Sequence, residues 1–293
     1  MKLQPARFCF CTLAFGKNYR NLALLLAKDL EKYSSETTFI VLTDEPRDFS
    51  KQPNVLAFKH QQQSVKLYHD KRFAIAKGLS LFDSCIFLDA DMRILAPVTH
   101  DMEWITTPGI NARGCEMMSN KYAKVFSGGS DSKLLKEFKV TKNLAKKLNL
   151  ELDSSNVNFV YEYLFAVTKD EGKEIEFLKQ WDTIAAYYEL NGVYEGEGNA
   201  IGIAAAQAGL PVRWCAMDGI NFFKDRTELI RVKKGQSNMQ DMKIYFEQQR
   251  KLEYPQHSLM KKLIIKIRKQ ILYFFYLLRL RIVTLKNFEF YYR

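Results

Sequence analysis

The run Cys85-Ile86-Phe87-Leu88-Asp89-Ala90-Asp91 constrains this chain more than any other feature, because an apolar, β-prone stretch stops abruptly on two carboxylates one residue apart. The consecutive apolar residues Ile86, Phe87 and Leu88 suit a strand buried on both faces of a largely parallel sheet. Asp89 and Asp91 then fall at the carboxyl end of that strand, where open α/β sheets bind their ligands. In extended chain, side chains two residues apart point the same way. Such a pair suits a hard divalent cation, Mg²⁺ or Mn²⁺, whose remaining positions are filled by water and phosphate oxygens. That cation would neutralise charge developing on a departing diphosphate. The competing reading is that Asp89 or Asp91 merely ends the strand or caps the next segment, which is the usual fate of an isolated D-x-D.

The segments around this run alternate. The pattern predicts a strand over 8–15, a turn at Gly16-Lys17-Asn18, and a helix over 19–33 with Leu22, Leu25, Leu26 and Leu30 on one face. A second strand follows over 37–42, ending at Thr43-Asp44-Glu45-Pro46, then a short strand over 55–58, a helix over 64–80 and the strand over 85–88. This order predicts a doubly wound, mostly parallel α/β sheet flanked by helices. Further on, 104–110 reads as a strand, 134–150 as a Lys-rich helix, 158–167 as one buried strand and 175–190 as an aromatic-rich helix. A Gly/Glu loop over 192–198, a small-residue helix over 199–208 and a short strand over 212–216 complete the pattern.

At 293 residues the chain can bury a full core, and 47% hydrophobic with 26% charged residues is ordinary for a globular protein. Its net charge of +11 is uneven: residues 261–293 hold nine basic side chains against the single acid Glu289. The rest is nearly balanced, so the basic character belongs to a tail. Five cysteines, an odd number, argue against a disulfide framework, and Cys9, Cys11 and Cys85 read as reduced core residues. No cysteine spacing suits zinc. The amino terminus lacks the apolar run and cleavage pattern of a signal peptide, which predicts a cytoplasmic protein, and no window offers the roughly 18 uninterrupted apolar residues of a spanning helix.

Several of these residues together resemble the GT-A nucleotide-sugar glycosyltransferases, and most closely the glycogenin-like branch with its bacterial lipopolysaccharide sugar-transferase relatives. Thr12-Leu13-Ala14 followed by Tyr19 is similar to that group's first strand and first helix. Lys71-Arg72, then Leu79-Ser80-Leu81-Phe82, then Cys85 to Asp91 is similar to its basic residue, helix, strand and D-x-D unit in order and spacing. The resemblance is clear over residues 8–97, weaker over 153–216, and absent from the tail. It implies a GT-A fold and a metal-dependent hexosyltransferase of the retaining type, taking a nucleoside diphosphate sugar, with UDP-sugars favoured. Carried over by position, Thr12, Ala14 and Tyr19 would line the base pocket and Asp44 would face the nucleotide. Lys71 or Arg72 would offset donor diphosphate charge, Asp89 and Asp91 would hold the metal, and Asn158 or Asn156 would stand in the family's Asn-containing loop. Asp44 is equally well explained as a turn residue before Pro46, and Lys71 and Arg72 as a solvated helix face.

The chain departs from the family in two places. The family's third metal ligand is a histidine in an H-x-x-G-x-x-K-P-W setting, whereas the only late histidine here is His257, in Tyr254-Pro255-Gln256-His257-Ser258. It is a candidate metal ligand or a plain surface residue. Glu195-Gly196-Glu197-Gly198 stands where an Asp-Gln pair is typical. Glu195 or Glu197 would serve as a general base in an inverting transfer, or hold the acceptor in a retaining one; the competing reading is a helix cap favoured by the dipole.

In the tail, Met260, Ile264, Ile267, Ile271, Phe274, Leu278, Ile282 and Leu285 recur at steps of three or four, with Lys261, Arg268, Arg279 and Lys286 beside them. A basic amphipathic helix of this kind suits an anionic membrane interface. The expected division is a catalytic domain over 1–255 and this tail over 256–293, attached peripherally to the inner face of a bacterial membrane where lipid-linked glycans are made. The competing reading packs the stripe on the catalytic domain or a second subunit, so that an oligomer remains open. Three other functions compete: a nucleotidyltransferase, disfavoured by the lack of a Gly-rich phosphate loop near the first strand; a nucleic-acid binder, disfavoured by the apolar stripe; and an inactive nucleotide-binding relative.

Overall fold

In chain order the strands are β1 (Phe8–Ala14), β2 (Phe39–Thr43), β3 (Val55–Lys59), β4 (Ser84–Leu88), β5 (Arg93–Ile94), β6 (Gly109–Ala112), β7 (Cys115–Met117), β8 (Asn158–Val160), β9 (Leu164–Thr168), β10 (Val212–Trp214) and β11 (Phe222–Phe223). They come from a computed structural model that describes residues 8–129, 131–253, 255–256 and 258–293. Seven strands form one sheet in the order β10-β6-β9-β4-β1-β2-β3. It is mostly parallel: β1 pairs with β2 and β4, β2 with β3, and β10 with β6 in parallel, while β6 and β9 run antiparallel. The fold is therefore α/β with a mostly parallel central sheet, as expected from the alternation.

The chain divides into two compact units. The first takes the described residues of 1–61, 73–106 and 217–257. Its core is β1, β2 and β4, and every residue of β2 and β4 is buried, which is why these segments read as unbroken apolar runs. Register places Cys9 beside Cys85, Phe10 beside Ile86 and Cys11 beside Phe87. The Thr12 hydroxyl donates to the Leu88 carbonyl at 2.6 Å, fixing the carboxyl end of β4. Cys9, Cys11 and Cys85 are free and buried, as small apolar core residues should be. Helix Gly16–Tyr33 buries Leu22, Leu26 and Leu30 and starts at Gly16, ahead of the expected Tyr19.

The second unit takes 62–72, 107–216 and 258–293. It contains helices Ser132–Lys147, Lys173–Leu190, Glu197–Ala208 and Leu259–Thr284. The expected strand over 158–167 is two strands. β8 pairs with β7, and β9 pairs with β6 in the large sheet, so one continuous strand would have to serve two ladders. Tyr161, between them, is held out by its hydroxyl on Glu116 at 2.8 Å and its amide on the Gly114 carbonyl.

Two other expectations are corrected. The helix over 64–80 is a short 3₁₀ turn, Leu67–Asp70, followed by helix Lys71–Leu79. Ahead of that turn the chain folds onto the Asp70 carboxylate, which accepts from the Gln63 and Ser64 amides at 2.8 and 2.9 Å. The strand over 104–110 is a helical turn, Glu103–Thr106, before β6 begins at Gly109. Gly109 has φ +115°, which a side chain rarely adopts, and an added Cβ would lie 2.6 Å from the Pro211 carbonyl oxygen.

Candidate functional site

In the first unit Asp89 and Asp91 lie just beyond the carboxyl end of β4, and a third residue has joined them. Lys224 Nζ is 3.2 Å from Asp89 Oδ2 and 2.5 Å from Asp91 Oδ1. The local fold explains why. β11 runs antiparallel to β5 with Phe223 opposite Arg93, so the next residue, Lys224, arrives beside the segment that carries the two aspartates. Phe223 packs on Tyr245 and Phe246 of helix Met239–Glu253, at centroid distances of 5.4 and 4.9 Å. The same helix supplies Gln249, whose Nε2 donates to Asp91 Oδ2 at 3.3 Å and to Glu253 Oε2 at 3.2 Å. Arg93 donates to Asp29 at 2.6 Å and to the side-chain Oε1 of Gln248, also at 2.6 Å, so the ladder that delivers Lys224 is anchored on both sides.

Electrostatics follow from burial. The side chains of Lys224 and Asp91 are 12% exposed and that of Asp89 is 23%. Burial pushes the Asp91 carboxyl above its ordinary value; the Lys224 ammonium opposes this and the Asp89 charge adds to it. For Lys224, burial works against the charged form, but the two carboxylates outweigh it and raise its pKa, so it is an ammonium at neutral pH.

The donor set fits a hard divalent cation. Asp89 and Asp91 supply carboxylate oxygens, the ammonium of Lys224 already stands as a cation against both, and the buried Gln249 Oε1, on the same amide that reaches Asp91, has no hydrogen-bond partner among the described residues. Asp89 and Asp91, with Gln249 beside them, would hold such an ion. Among the described residues no group of three His, Cys, Asp or Glu side chains is arranged to bind a metal. His257 lies outside the described residues.

Other expected residues of this unit take structural partners. Thr12 is fully buried with its hydroxyl on Leu88, Ala14 is fully buried, and Tyr19 is 43% exposed on helix Gly16–Tyr33. Asp44 accepts from the Gly16 amide at 3.0 Å and from Arg20 at 2.6 Å. Partial burial raises its pKa, but Arg20 and the Gly16 amide outweigh this and hold the carboxyl below its ordinary value. A carboxylate engaged in this way closes the turn between β1 and the following helix.

In the second unit, Lys71 and Glu197 come together, with Nζ 3.5 Å from Oε1. Glu197 is the first residue of helix Glu197–Ala208, two residues earlier than expected, where its charge meets the positive dipole end. Glu195 is more open: it takes Lys133 at 2.5 Å and Lys66 at 3.9 Å. These residues line an open cavity of about 170 Å³ with Lys136, Glu137 and Tyr194. Arg72 is committed elsewhere, donating to Asp182 and the His69 carbonyl at 2.6 Å each. Asn158 Nδ2 donates weakly to the Ser155 carbonyl, and its own carbonyl is packed under Gly202.

Lys224 and Gln249 are the functional candidates that sequence reasoning missed. Their signal is faint: one lysine after a two-residue strand, and one glutamine on helix Met239–Glu253, a segment with no motif of its own.

No protein-family model matches the chain, and no curated protein matches it either. Among solved structures it is similar to the apo structure of the WbbM bifunctional glycosyltransferase, at TM-score 0.40 and 13% identity, over 73% of this chain and 40% of that one. The chain thus spans less than half the length of that protein.

Proposed function

We propose that this protein transfers a hexosyl group from a nucleoside diphosphate sugar, with UDP-sugars favoured, to a glycan or lipid-linked glycan acceptor. The observation that carries this reading is the Asp89/Asp91 pair at the carboxyl end of a buried parallel strand, with a cation already bridging both carboxylates. Mn²⁺ or Mg²⁺ bound there would supply charge neutralisation for the departing diphosphate. Asp89 and Asp91 bind and orient, and Lys224 is a cation at their side. Glu197, buried against Lys71, is a positioning residue. That supports the retaining reading, in which no strong general base is required, and leaves Glu195 and the cavity around it to hold acceptor hydroxyls.

A peripheral membrane role belongs to the same proposal. Among the described residues no helix is long and apolar enough to cross a membrane. Helix Leu259–Thr284 docks on its own unit through Tyr273, whose hydroxyl meets that of Tyr194 at 2.7 Å, and through Arg279, which donates to the Gln62 carbonyl at 3.1 Å. The whole predicted stripe, from Met260 to Leu285, is instead solvent-exposed, at 51–72% per residue. An unburied apolar stripe flanked by lysines and arginines supports seating on an anionic lipid surface.

The test is thermal stabilisation by a panel of nucleoside diphosphates with and without Mn²⁺, on wild type and Asp91→Ala. A Mn²⁺-dependent shift for one nucleotide, lost in the variant, is the expected result. A folded wild type that responds to none overturns the reading.

A further inference from the structure

We propose that Lys224 is a displaceable stand-in for the metal, a built-in cation that offsets half the charge of the Asp89/Asp91 pair until a divalent ion expels it. This rests on the reading of the pair as the metal-binding site. Three carboxylate oxygens are occupied by N–H donors: Asp89 Oδ2 and Asp91 Oδ1 by Lys224, and Asp91 Oδ2 by Gln249. Those hydrogens point at lone pairs that a metal would need. An ion bridging both carboxylates at the place where Lys224 Nζ now bridges them has to displace the ammonium.

Charge gives the device its logic. Two carboxylates and one ammonium sum to one negative charge, and a diphosphate approaching them is repelled. A divalent cation in place of the ammonium cancels the charge of the pair and frees Lys224 as a second cation for the phosphate oxygens. Binding of metal and binding of diphosphate are thereby coupled, because each removes what opposes the other. The placeholder also meets a folding need, because Lys224 offsets the charge of two close carboxylates with little exposure in the metal-free protein.

The geometry allows the exchange. Lys224 is the residue between β11 and helix Asp225–Lys233, and its side chain has four rotatable bonds, so it can leave without moving the ladder that carries it. Gln249 can turn its amide so that Oε1, which has no partner among the described residues, faces a cation where Nε2 now faces Asp91.

The experiment is Mn²⁺ binding to the full chain, followed by the electron paramagnetic resonance signal of free Mn²⁺, for wild type, Lys224→Met and Asp91→Asn. Lys224→Met should bind Mn²⁺ at least tenfold more tightly than wild type and a nucleoside diphosphate at least tenfold more weakly, while Asp91→Asn should lose Mn²⁺ binding. Equal Mn²⁺ affinity in wild type and Lys224→Met, with Asp91→Asn impaired, overturns the stand-in and leaves the metal site intact. Unimpaired binding by Asp91→Asn overturns the metal site and the stand-in together. Should Lys224→Met fail to fold, wild type alone decides: amine labelling read by peptide mass spectrometry should modify Lys224 several-fold faster with Mn²⁺ than without, and an unchanged rate overturns the proposal.

Discussion

Lys71 and Glu197 form an ion pair at 3.5 Å with side chains only 10% and 4% exposed. The two lie far apart in sequence, so the pair ties the start of helix Lys71–Leu79 to the start of helix Glu197–Ala208. Removing one partner of a buried pair costs about 3–5 kcal/mol, because the remaining charge loses its counter-ion. Lys71→Met should therefore destabilise by about that amount, and Lys71→Met/Glu197→Gln should recover much of it in a urea-melt double-mutant cycle. A single variant that melts like wild type but loses donor binding would make Lys71 a binding residue and not a structural one.

A second prediction concerns pH. Glu189 is buried, and its carboxylate accepts from the Val65 and Lys66 amides at 2.9 and 3.1 Å. Burial outweighs these bonds and pushes its pKa up to about 7 from 4.5. Between those values the folded chain holds a proton that the unfolded chain has released, so this residue's contribution falls as pH rises from about 4.5 to about 7 and is constant above. The gap bounds the effect at about 3 kcal/mol. His69 works in the opposite sense: burial pushes its pKa down to about 3, so its contribution is lost as pH falls below about 6.5. Asp70 and Arg72 sit beside both groups and enter both slopes. Chemical melts at pH 5, 6, 7 and 8 should show that Glu189→Gln changes the slope toward that of His69 alone. An unchanged slope removes Glu189 from the account.

The carboxylate pair was legible in the sequence and its partner was not, for one physical reason. Ile86, Phe87 and Leu88 announce a buried strand by composition, and the period of the sheet then places Asp89 and Asp91 together. Lys224 reaches them through a ladder of two residues per strand, too short to leave any periodic trace. The same holds for 158–167, where an apolar run is compatible with one strand and only the competing partners β7 and β6 reveal two. The tail stripe is legible as a stripe in the sequence; the face that docks is not, because Tyr273 and Arg279 act through polar tips that an apolar period does not register.

The exposed stripe predicts salt-sensitive membrane binding. Ile264, Ile271 and Leu278 are 61%, 63% and 60% exposed, and lysines and arginines flank them. Burying each such side chain stabilises by about 1.5–3 kcal/mol, and each nearby basic residue adds about 1 kcal/mol on an anionic surface. Ile264→Asp/Ile271→Asp/Leu278→Asp should abolish sedimentation with vesicles rich in anionic lipid while leaving the thermal melt near that of wild type, since none of the three is buried in the protein. Wild type should bind neutral vesicles poorly and release from anionic ones as salt rises. Equal sedimentation of wild type and the triple variant would remove the stripe from membrane binding.

Close packing at Gly202 gives the last prediction. Helix Glu197–Ala208 lies so near β8 that a Cβ added at Gly202 would fall 1.4 Å from the Asn158 carbonyl oxygen, a backbone atom that cannot turn aside. Gly198, one turn earlier, meets the Val160 carbonyl oxygen at 2.3 Å in the same way. The helix carries small residues on this side because the strand backbone must approach it. Gly202→Ala must push helix and strand apart and should cost about 3 kcal/mol or more, above the usual range for overpacking. Gly209, with φ +66° at the helix end and no atom within 4 Å, provides the control: Gly209→Ala meets only backbone strain, about 1 kcal/mol. Because Glu197 begins this helix, Gly202→Ala should also displace it from Lys71, so the pair's coupling energy should shrink in that background. A full-strength coupling beside a large loss of stability would mean that the helix yields at its far end instead.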